Sequence, residues 1–380
     1  MKIAQVVVAA SGRLMGADVA PLVAIEPNLV LAFGSVRQLR AAEAALGAAF
    51  PAACRAGCST AGEITGEGVD DDSLVVTALH FDATRIFQAS TVLASMEDSF
   101  AAGKRLAASL PIPGLRAILI FGQGVKINGS AVLSGMTEVV GPNVPITGGL
   151  AGDGGAFSQT FVLDSGGVSS ERLTCVALYG EKLTFSHGSF GGWSPFGPAR
   201  KVTRCDNNVL YELDGESALD TYKKYLGEHA KDLPASGLLF PFAMLGSDHS
   251  EVGLIRTILG IDETAGSLTL AGDIDPKGYL RLMHASTDAL VDGAEAAAEA
   301  AKAMQSQAGD GLALLVSCVG RKLVMGGRVD EEVEAVGQVF GAGATLAGFY
   351  SYGEISPFTK AVECKLHNQT MTITYMAESA

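Results

Sequence analysis

Short apolar runs closed by glycine alternate with segments of helical periodicity along the chain. The first run, "LVLAFG" at residues 29–34, precedes an alanine-rich segment, residues 36–50, whose apolar positions recur at helical spacing before Pro51. The run indicates a buried parallel strand, and the segment predicts a helix that ends before the proline. "ACRAGCSTAGEI" then supplies a second strand and a glycine turn, which completes a predicted βαβ unit.

The same order of elements returns twice. Residues 117–122 and 312–317 predict strands, residues 130–140 and 330–340 predict helices, and "ITGGLAGD" and "ATLAGFYSYGEI" close the two units. Elsewhere, short strands split by turns predict two antiparallel meanders, with helices over residues 218–230 and 287–307, the second capped by Thr287 or Asp288. The predicted class is α/β: two-lobed, with duplicated βαβ units and antiparallel β-meanders, divided near Arg204 into domains 1–204 and 205–380.

Composition narrows the classes of function. With 380 residues, 48% hydrophobic and 18% charged, the chain has the makeup of a folded protein of two or three domains. A net charge of −14 repels phosphate backbones and anionic lipids, which disfavours nucleic-acid and membrane-surface binding. The chain lacks a run of about 18 apolar residues, so membrane insertion is not expected. Six cysteines without a CxxC pair indicate reduced thiols in a cytoplasmic protein.

Three strand endings share a glycine followed by an acid: Gly62-Glu63, Gly152-Asp153 and Gly353-Glu354. Glycine lets the backbone turn sharply at the carboxyl edge of a strand, where ligands bind in open α/β sheets. The carboxylates could converge on a polar or cationic ligand group, with Arg256 as a partner, or each could cap the backbone of its own turn. Both interpretations stay open.

The nucleophiles Cys58 and Ser59 lie in "GCSTAG", which lacks the glycine two residues after the serine that a nucleophile elbow needs. The related ending "GFYSYGEI" keeps the glycines and the acid but neither nucleophile. A buried thiol and a capping hydroxyl explain this better than catalysis. A thiol-dependent enzyme that uses Cys58 is the alternative.

The six histidines are dispersed, without an HxxxH or HxH pair. His187 stands out because it lies in "FSHGSFGGWSPFGP" beside the only tryptophan, Trp193. Aromatic walls and one imidazole could hold a non-covalent haem, with the histidine as the iron ligand. A strand histidine beside a Gly/Pro corner is the structural alternative.

Several motifs taken together resemble the FIST family, a pairing of FIST N-terminal and C-terminal domains. They are, in chain order, "GCSTAGEI", "GGLAGD", "VTRCDNNVLYELDGESALDTYKKYLG", "LIRTILGID", "GSLTLAGDI" and "GFYSYGEISP". The resemblance implies a sensory, small-ligand-binding module for which amino acids are suggested ligands. Stand-alone members are similar to nitric-oxide-sensing haem proteins that regulate a partner histidine kinase. The family offers no short motif that would identify a haem ligand here.

These observations predict a non-catalytic, cytoplasmic sensory protein for signal transduction. The favoured ligand is haem b for nitric oxide sensing, with regulation of a partner histidine kinase; the alternative is an amino acid or related polar metabolite without haem. His187 and Trp193 are the predicted haem-binding residues, with His187 on the iron. The predicted ligand-binding residues lie at the strand endings or on the neighbouring Arg256 strand: Cys58, Ser59, Thr60, Glu63, Gly149, Asp153, Arg256, Tyr352 and Glu354.

Overall fold

A computed structural model describes residues 1–305, 310–358 and 363–379 of the chain. Strand–helix–strand units are separated by long runs of consecutive strands, and the predicted α/β class with repeated βαβ units and antiparallel meanders is confirmed. Among the helices in these ranges, none has the length and apolar character needed to cross a bilayer.

For naming, the regular elements are divided into two consecutive stretches of the chain, residues 2–190 and 194–378. The first runs through β1 (Lys2–Val8), α1 (Gly16–Val23), β2 (Leu29–Gly34), α2 (Val36–Ala49), β3 (Cys54–Ser59), β4 (Glu63–Thr65), β5 (Gly68–Asp70), β6 (Leu74–His80), β7 (Arg85–Val92), α3 (Ser99–Ala108), β8 (Leu115–Gly122), α4 (Gly129–Val140), β9 (Ile146–Leu150), β10 (Val162–Asp164), β11 (Gly167–Ser169), β12 (Arg172–Tyr179) and β13 (Leu183–Phe190). The second comprises β14 (Ser194–Pro195), β15 (Arg200–Asp206), β16 (Val209–Leu213), β17 (Glu216–Ser217), α5 (Ala218–Leu226), β18 (Phe242–Leu245), β19 (Glu251–Arg256), β20 (Ile258–Asp262), β21 (Ser267–Leu270), β22 (Tyr279–His284), α6 (Thr287–Ala303), β23 (Gly311–Cys318), α7 (Val319–Met325), α8 (Asp330–Phe340), β24 (Ala344–Ser351), β25 (Gly353–Pro357), β26 (Cys364–His367) and β27 (Met371–Glu378).

Three parallel strand pairs form the body of the protein: β2 with β3, β8 with β9, and β23 with β24. Helix α2 joins the first pair, α4 the second, and α7 and α8 the third. Each pair is extended on one side by two antiparallel strands, β6 and β1, β12 and β7, or β27 and β13. The body is therefore built from three equivalent units, which we call units 1, 2 and 3.

The three units exchange hairpins in a closed cycle. The hairpin β4–β5, which follows β3 of unit 1, pairs with β24 of unit 3. The hairpin β25–β26 that follows β24 pairs with β9 of unit 2, and β10–β11 that follows β9 pairs with β3 of unit 1. Strand β13 pairs with β27 across the boundary predicted near Arg204, so that boundary does not separate the sheets.

A shared apolar core lies where the three parallel pairs meet. The rings of Phe33, Phe121 and Phe349 are 4.7 to 6.2 Å apart between centroids, within the favourable range for aromatic pairs. Phe349 occupies the register position that Cys58 and Gly149 hold in the other units. A Cβ atom at Gly149 would come within 2.7 Å of Val316 Cγ1. The side chains of unit 3 that pack against this position therefore leave room only for glycine.

The remaining strands form a separate β subdomain. The strands β14 to β22 make one antiparallel sheet, in which α5 covers a core of its own around Tyr222 and Phe242. Helix α5 begins after Ser217, whose side chain accepts a hydrogen bond from the N–H of Asp220. The β subdomain contains the second predicted meander, and the chain enters it after β13 and leaves it before α6.

Candidate functional site

The carboxyl ends of β3, β9 and β24 meet in a ring of backbone hydrogen bonds. Each donates one N–H to the carbonyl of the next, at 2.8, 2.8 and 3.1 Å: Ala61 to Tyr350, Gly152 to Ser59, and Tyr352 to Leu150. The ring repeats the same contact three times, so it places equivalent residues of the units around one pseudo-threefold axis. The glycine-acid endings recognised in the sequence surround this axis.

Glu63 is buried beneath the ring and is fully hydrogen-bonded. Thr60 Oγ1 donates to its Oε1, and the N–H and Oγ of Ser73 donate to its Oε2 at 2.8 Å each. Burial raises the pKa of Glu63 to about 7, against the effect of these hydrogen bonds. The carboxyl therefore ties the turn after β3 to the start of β6.

Glu354 repeats this arrangement in unit 3. Ser351 Oγ donates to its Oε1 at 2.7 Å, and the N–H and Oγ1 of Thr370 donate to its Oε2 at 3.2 and 3.0 Å. Burial raises the pKa of Glu354 to about 8. Neither glutamate caps the backbone of its own turn, because the N–H groups that they bind, those of Ser73 and Thr370, lie 10 and 16 residues further along the chain.

Glu354→Gln is expected to change the pH dependence of stability. Its folded pKa of about 8 lies above the ordinary value of 4.5, so the folded state holds a proton that the unfolded state releases. This stabilisation is fully present below about pH 4.5 and is lost as the pH rises through about 8. Glutamine keeps the shape and cannot ionise, so the variant should match the parent near pH 4.5 and exceed it by roughly 2–4 kcal/mol at about pH 9.

Urea unfolding of both proteins across this pH range measures the difference. Glu295→Gln, on the exposed side of α6, is the matched control and should follow the parent at every pH. A constant offset between Glu354→Gln and the parent from low to high pH would contradict a buried, protonated carboxyl.

Asp153 differs from the two glutamates. Its carboxylate accepts hydrogen bonds from the N–H groups of Phe157, Ser158 and Gln159 at 2.8 to 2.9 Å, and from the hydroxyl of Tyr352. Burial acts to raise its pKa, but these hydrogen bonds outweigh burial and the pKa is lowered. Asp153 is therefore a partly exposed anion that caps its own loop.

An open cleft of about 1110 Å³ lies over one side of the ring, between α2 of unit 1 and α7 of unit 3. Thr60, Glu63 and Asp153 line it, whereas Glu354 does not. The expected convergence of three carboxylates on one ligand is wrong for Glu354, because this side chain is fully buried and does not reach the cleft. Predicted and unpredicted residues share the cleft walls: Ser35, Val36, Arg37, Arg40, Ala41, Glu43, Thr60, Ala61, Gly62, Glu63, Asp71, Asp72, Asp153, Gly154, Gly155, Val319, Lys322, Leu323 and Gly326.

Side chains of both charges line the cleft, and the α2 wall carries Glu43 as well as Arg37 and Arg40. Arg37 and Arg40 project from the first turns of α2, and neither forms an ion pair with a carboxylate in the described ranges. The amino end of this helix adds N–H groups without helical partners and a partial positive charge. Asp71, Asp72 and Asp153 supply carboxylates elsewhere on the walls.

Lys322 crosses the cleft from unit 3 to unit 1. Its Nζ donates to the carbonyl of Ala61 at 2.9 Å and to the carboxylate of Asp71. The ammonium group also lies 5.4 Å from the ring centroid of Tyr350. One side chain thus connects α7 to the turn after β3 and to the loop after β5.

The two candidate nucleophiles, Cys58 and Ser59, are both buried. Cys58 is fully buried, and burial raises its thiol pKa well above the ordinary value, which keeps the thiol protonated. Ser59 Oγ donates to the carbonyl of Gly152 at 2.6 Å and accepts from the N–H of Phe161 at 2.9 Å. Neither residue lines the cleft, and Ser59 ties unit 1 to the segment that follows β9 of unit 2.

Two other predicted ligand residues lie elsewhere. Gly149 is in the shared core, where the ring of Phe349 and the side chain of Val316 leave no room for a Cβ atom. Arg256 is buried beside α4, where it donates to the carbonyls of Asp273 and Leu366 at 3.2 and 3.1 Å. Burial lowers its pKa to about 10. It therefore binds backbone in the described structure and has no contact with the strand-end carboxyls.

The residues proposed for haem do not form one site. His187 is buried in β13 opposite Thr374, and burial lowers its pKa to about 4. Trp193 lines a cavity of about 340 Å³ against the β subdomain, and His187 is not among the lining residues. That volume is near the lower end for small-molecule pockets, which favours a one- or two-ring molecule over a tetrapyrrole.

Five charged residues that line the cleft were not identified from the sequence: Arg37, Arg40, Asp71, Asp72 and Lys322. Arg37 and Arg40 sit at i and i+3 at the start of a helix that directly follows a parallel strand. Both arginines therefore project near the carboxyl edge of the sheet. Their position at the start of a helix that follows a parallel strand could have identified both arginines from the sequence. Lys322 was not recognisable, since helix α7 was not predicted.

Two family descriptions match the chain: the FIST N domain over residues 28–216 and the FIST C domain over residues 218–357. The uncharacterized protein MJ1623 of Methanocaldococcus jannaschii is 36% identical over 89 residues, which is 23% of this chain and 17% of that protein. The chain thus spans less than a fifth of that relative.

Two solved structures resemble the fold distantly. A cyanuric acid hydrolase from A. caulinodans has 10% sequence identity and a TM-score of 0.38, with 100% of this chain and 99% of that chain covered. A second cyanuric acid hydrolase has 10% identity and a TM-score of 0.35, with 99% of each chain covered. Likeness at this level carries no argument about activity. The two domain matches cover most of the chain, which therefore belongs to the FIST family, whose domains are sensory domains of signalling proteins.

Proposed function

We propose that this chain is a non-catalytic sensor whose ligand is a small zwitterion of the amino-acid type, bound in the cleft between α2 and α7. Membership in a family of sensory domains supports the general role. The chemistry of the cleft supports the ligand class. Its volume of about 1110 Å³ exceeds the need of a single amino acid, so bound water or a longer side chain completes the fit.

The observation that carries the proposal is the presence of both cationic and anionic side chains on the walls of one cleft. A ligand carboxylate matches Arg37, Arg40 and the amino end of α2, because guanidinium groups and helix N–H groups both donate to carboxylate oxygens. A ligand ammonium group matches Asp71, Asp72 or Asp153, which also line the cleft. A purely anionic or purely cationic ligand would use only one of these two sets of groups.

The position of the cleft also suggests how binding is signalled. Lys322 links α7 to Asp71 across it, and the two belong to different units. A ligand that competes with this ion pair, or strengthens it, changes how α7 sits against unit 1. We propose that a partner protein responds to that change and that the partner is a histidine kinase.

The rival functions have less support. Catalysis through Cys58 would need a thiolate near a ligand site, but the thiol is buried and protonated. Haem-based nitric oxide sensing stays a prediction from the family resemblance. The geometry does not favour it, because His187 and the Trp193 cavity are separate.

A thermal unfolding screen against the common amino acids and related zwitterions tests the proposal. A ligand present at 100 times its dissociation constant stabilises the folded state by about 2.7 kcal/mol. The paired variant Arg37→Gln and Arg40→Gln should lower the affinity of the active compound about 100-fold, since it removes two charge-assisted contacts.

Arg116→Gln removes an exposed arginine at the start of β8, outside the cleft, and is the matched control. It should bind as the parent does. Two results would contradict a zwitterion site. One is that simple carboxylates or simple amines alone stabilise the protein, and the other is that the paired variant binds the active compound with parental affinity.

A further inference from the structure

A second cavity of about 340 Å³ lies between the body and the β subdomain. We call it the side cavity. It is separate from the cleft, and no residue lines both. What it binds is therefore a different question from the proposed sensory function.

One wall of the side cavity is a single face of the β subdomain sheet. In the sheet register, Ala243 lies opposite Ile255 on one neighbour and opposite Arg281 on the other. Directly opposite residues share a face, and the next residue but one, Met283, follows on the same side. This face therefore presents aliphatic and thioether groups around one guanidinium, and Glu251 of β19 adds one carboxylate to the lining.

The facing wall comes from the body and is aromatic. Phe190, Trp193 and Phe358 line it, and the indole N–H of Trp193 donates to the carbonyl of Gln369 at 2.8 Å. That hydrogen bond fixes the indole ring at the cavity. An apolar space walled by aromatic rings and methionines suits a flat ring system.

Two polar atoms at the side cavity, His367 Nδ1 and Arg281 Nε, have no hydrogen-bond partner among the described residues. His367 is 2% exposed, and its Nε2 lies 2.9 Å from the carbonyl oxygen of Ser356. A carbonyl only accepts, so Nε2 carries the hydrogen and Nδ1 is a bare acceptor. Burial lowers the pKa of His367 to about 4, which keeps the ring neutral.

Arg281 supplies the matching donor. Its Nε is buried and has no hydrogen-bond partner in the described structure, and the side chain forms no ion pair with a described carboxylate. Buried polar groups are almost always satisfied, so the unpaired Nε of Arg281 at this cavity indicates a missing partner.

We infer that the side cavity binds a planar aromatic or heteroaromatic carboxylate of one or two rings. The carboxylate pairs with Arg281, a ring N–H or O–H donates to His367, and the ring lies against Trp193 and Phe358. The cavity volume sets the limit of one or two rings.

Trp193 is the only tryptophan in the chain, so its fluorescence reports on this cavity alone. Benzoate, salicylate and anthranilate are the probes, and cyclohexanecarboxylate is the control that lacks an aromatic ring. We expect saturable quenching by at least one aromatic probe, strongest for anthranilate and salicylate, which carry a donor for His367. Cyclohexanecarboxylate should give none.

Two variants test the assignment. Arg281→Gln should weaken the active probe about 10- to 100-fold, as expected for the loss of a charge-assisted contact. Ala243→Phe fills the cavity and should abolish saturation, whereas Ala44→Phe on the exposed face of α2 should not. The paired Arg37 and Arg40 variant should bind the probe as the parent does, which separates this site from the cleft.

Either of two results would overturn the inference: no aromatic probe gives saturable quenching, or Arg281→Gln binds it with parental affinity. Circular dichroism checks that Ala243→Phe is folded. If it is not, Arg281→Gln alone decides, because that side chain is partly exposed and its replacement leaves no buried charge.

Discussion

Gly348→Ala is expected to prevent folding. A Cβ atom at residue 348 would lie 1.9 Å from the carbonyl oxygen of Leu315 and 2.8 Å from its carbonyl carbon. Both are backbone atoms of the paired strand β23, so no side-chain rotation relieves the clash. Overpacking that side chains can absorb costs about 1–3 kcal/mol, and a clash with backbone in the middle of a sheet exceeds that range. Since domains are stable by only about 5–15 kcal/mol, we expect insoluble or unfolded protein.

The same clash recurs at the equivalent position of each unit. A Cβ atom would lie 1.9 Å from the Ala32 oxygen at Gly57 and 2.0 Å from the Ile120 oxygen at Gly148. These glycines let the parallel strands approach closely around the axis, which is why the strand endings repeat them. All three alanine variants should therefore fail alike.

Gly337→Ala is the matched control. Residue 337 is inside α8, and a Cβ atom there would meet only Leu346 Cδ1, at 3.6 Å. Alanine favours helix over glycine, so this variant should be stabilised by about 0.5–1 kcal/mol. Far-UV circular dichroism and urea unfolding measure both outcomes. A soluble, cooperatively folding Gly348→Ala protein would show that the strands can separate at this position.

Glu332→Gln is expected to destabilise the protein by about 3–5 kcal/mol. Glu332 and Arg321 are fully buried, and Arg321 Nη2 lies 2.7 Å from Glu332 Oε2. Ser317 Oγ and the Tyr350 hydroxyl donate to the other carboxylate oxygen. Without the carboxylate charge, a guanidinium stays buried without an anion, and desolvation of that charge is the source of the loss.

A double variant separates the pair's charge from its packing. Arg321→Met with Glu332→Leu removes both charges and should recover part of the loss, because apolar residues of similar volume replace buried ion pairs at little cost. Recovery will be incomplete, since Arg321 also donates to the carbonyl of Leu290 at 2.8 Å. Lys224→Gln breaks an exposed ion pair with Glu216 and should change stability by less than about 1 kcal/mol. Equal losses from the single and double variants would indicate that packing alone is involved.

Local patterns in the sequence located the repeated βαβ units well. The helix predicted over residues 330–340 is observed as Asp330–Phe340, and the one over residues 130–140 as Gly129–Val140. Apolar periodicity decides these elements because each buries one face against its own sheet. Helix ends were less accurate. Ser286 caps α6, one residue before the predicted candidates, and residues 306–307 of the predicted helix lie outside the described ranges.

The arrangement of the units could not be read from local pattern. Strand β25 pairs with β9, and β4 pairs with β24, across long stretches of chain. Hydrophobic periodicity shows which face of a strand is buried but not which strand it will join. The cleft depends on this pairing, because it brings Arg37 and Lys322 to the same opening from distant parts of the chain.

The circular exchange of hairpins has a consequence for biosynthesis. During translation, strand β9 emerges well before β25, the hairpin strand that completes its sheet. Until then the edge of β9 has open backbone hydrogen-bonding groups, which in other proteins invite aggregation. A ribosome-bound fragment that stops before residue 353 therefore cannot complete its second sheet. The nascent chain should need protection by a chaperone until that hairpin is released.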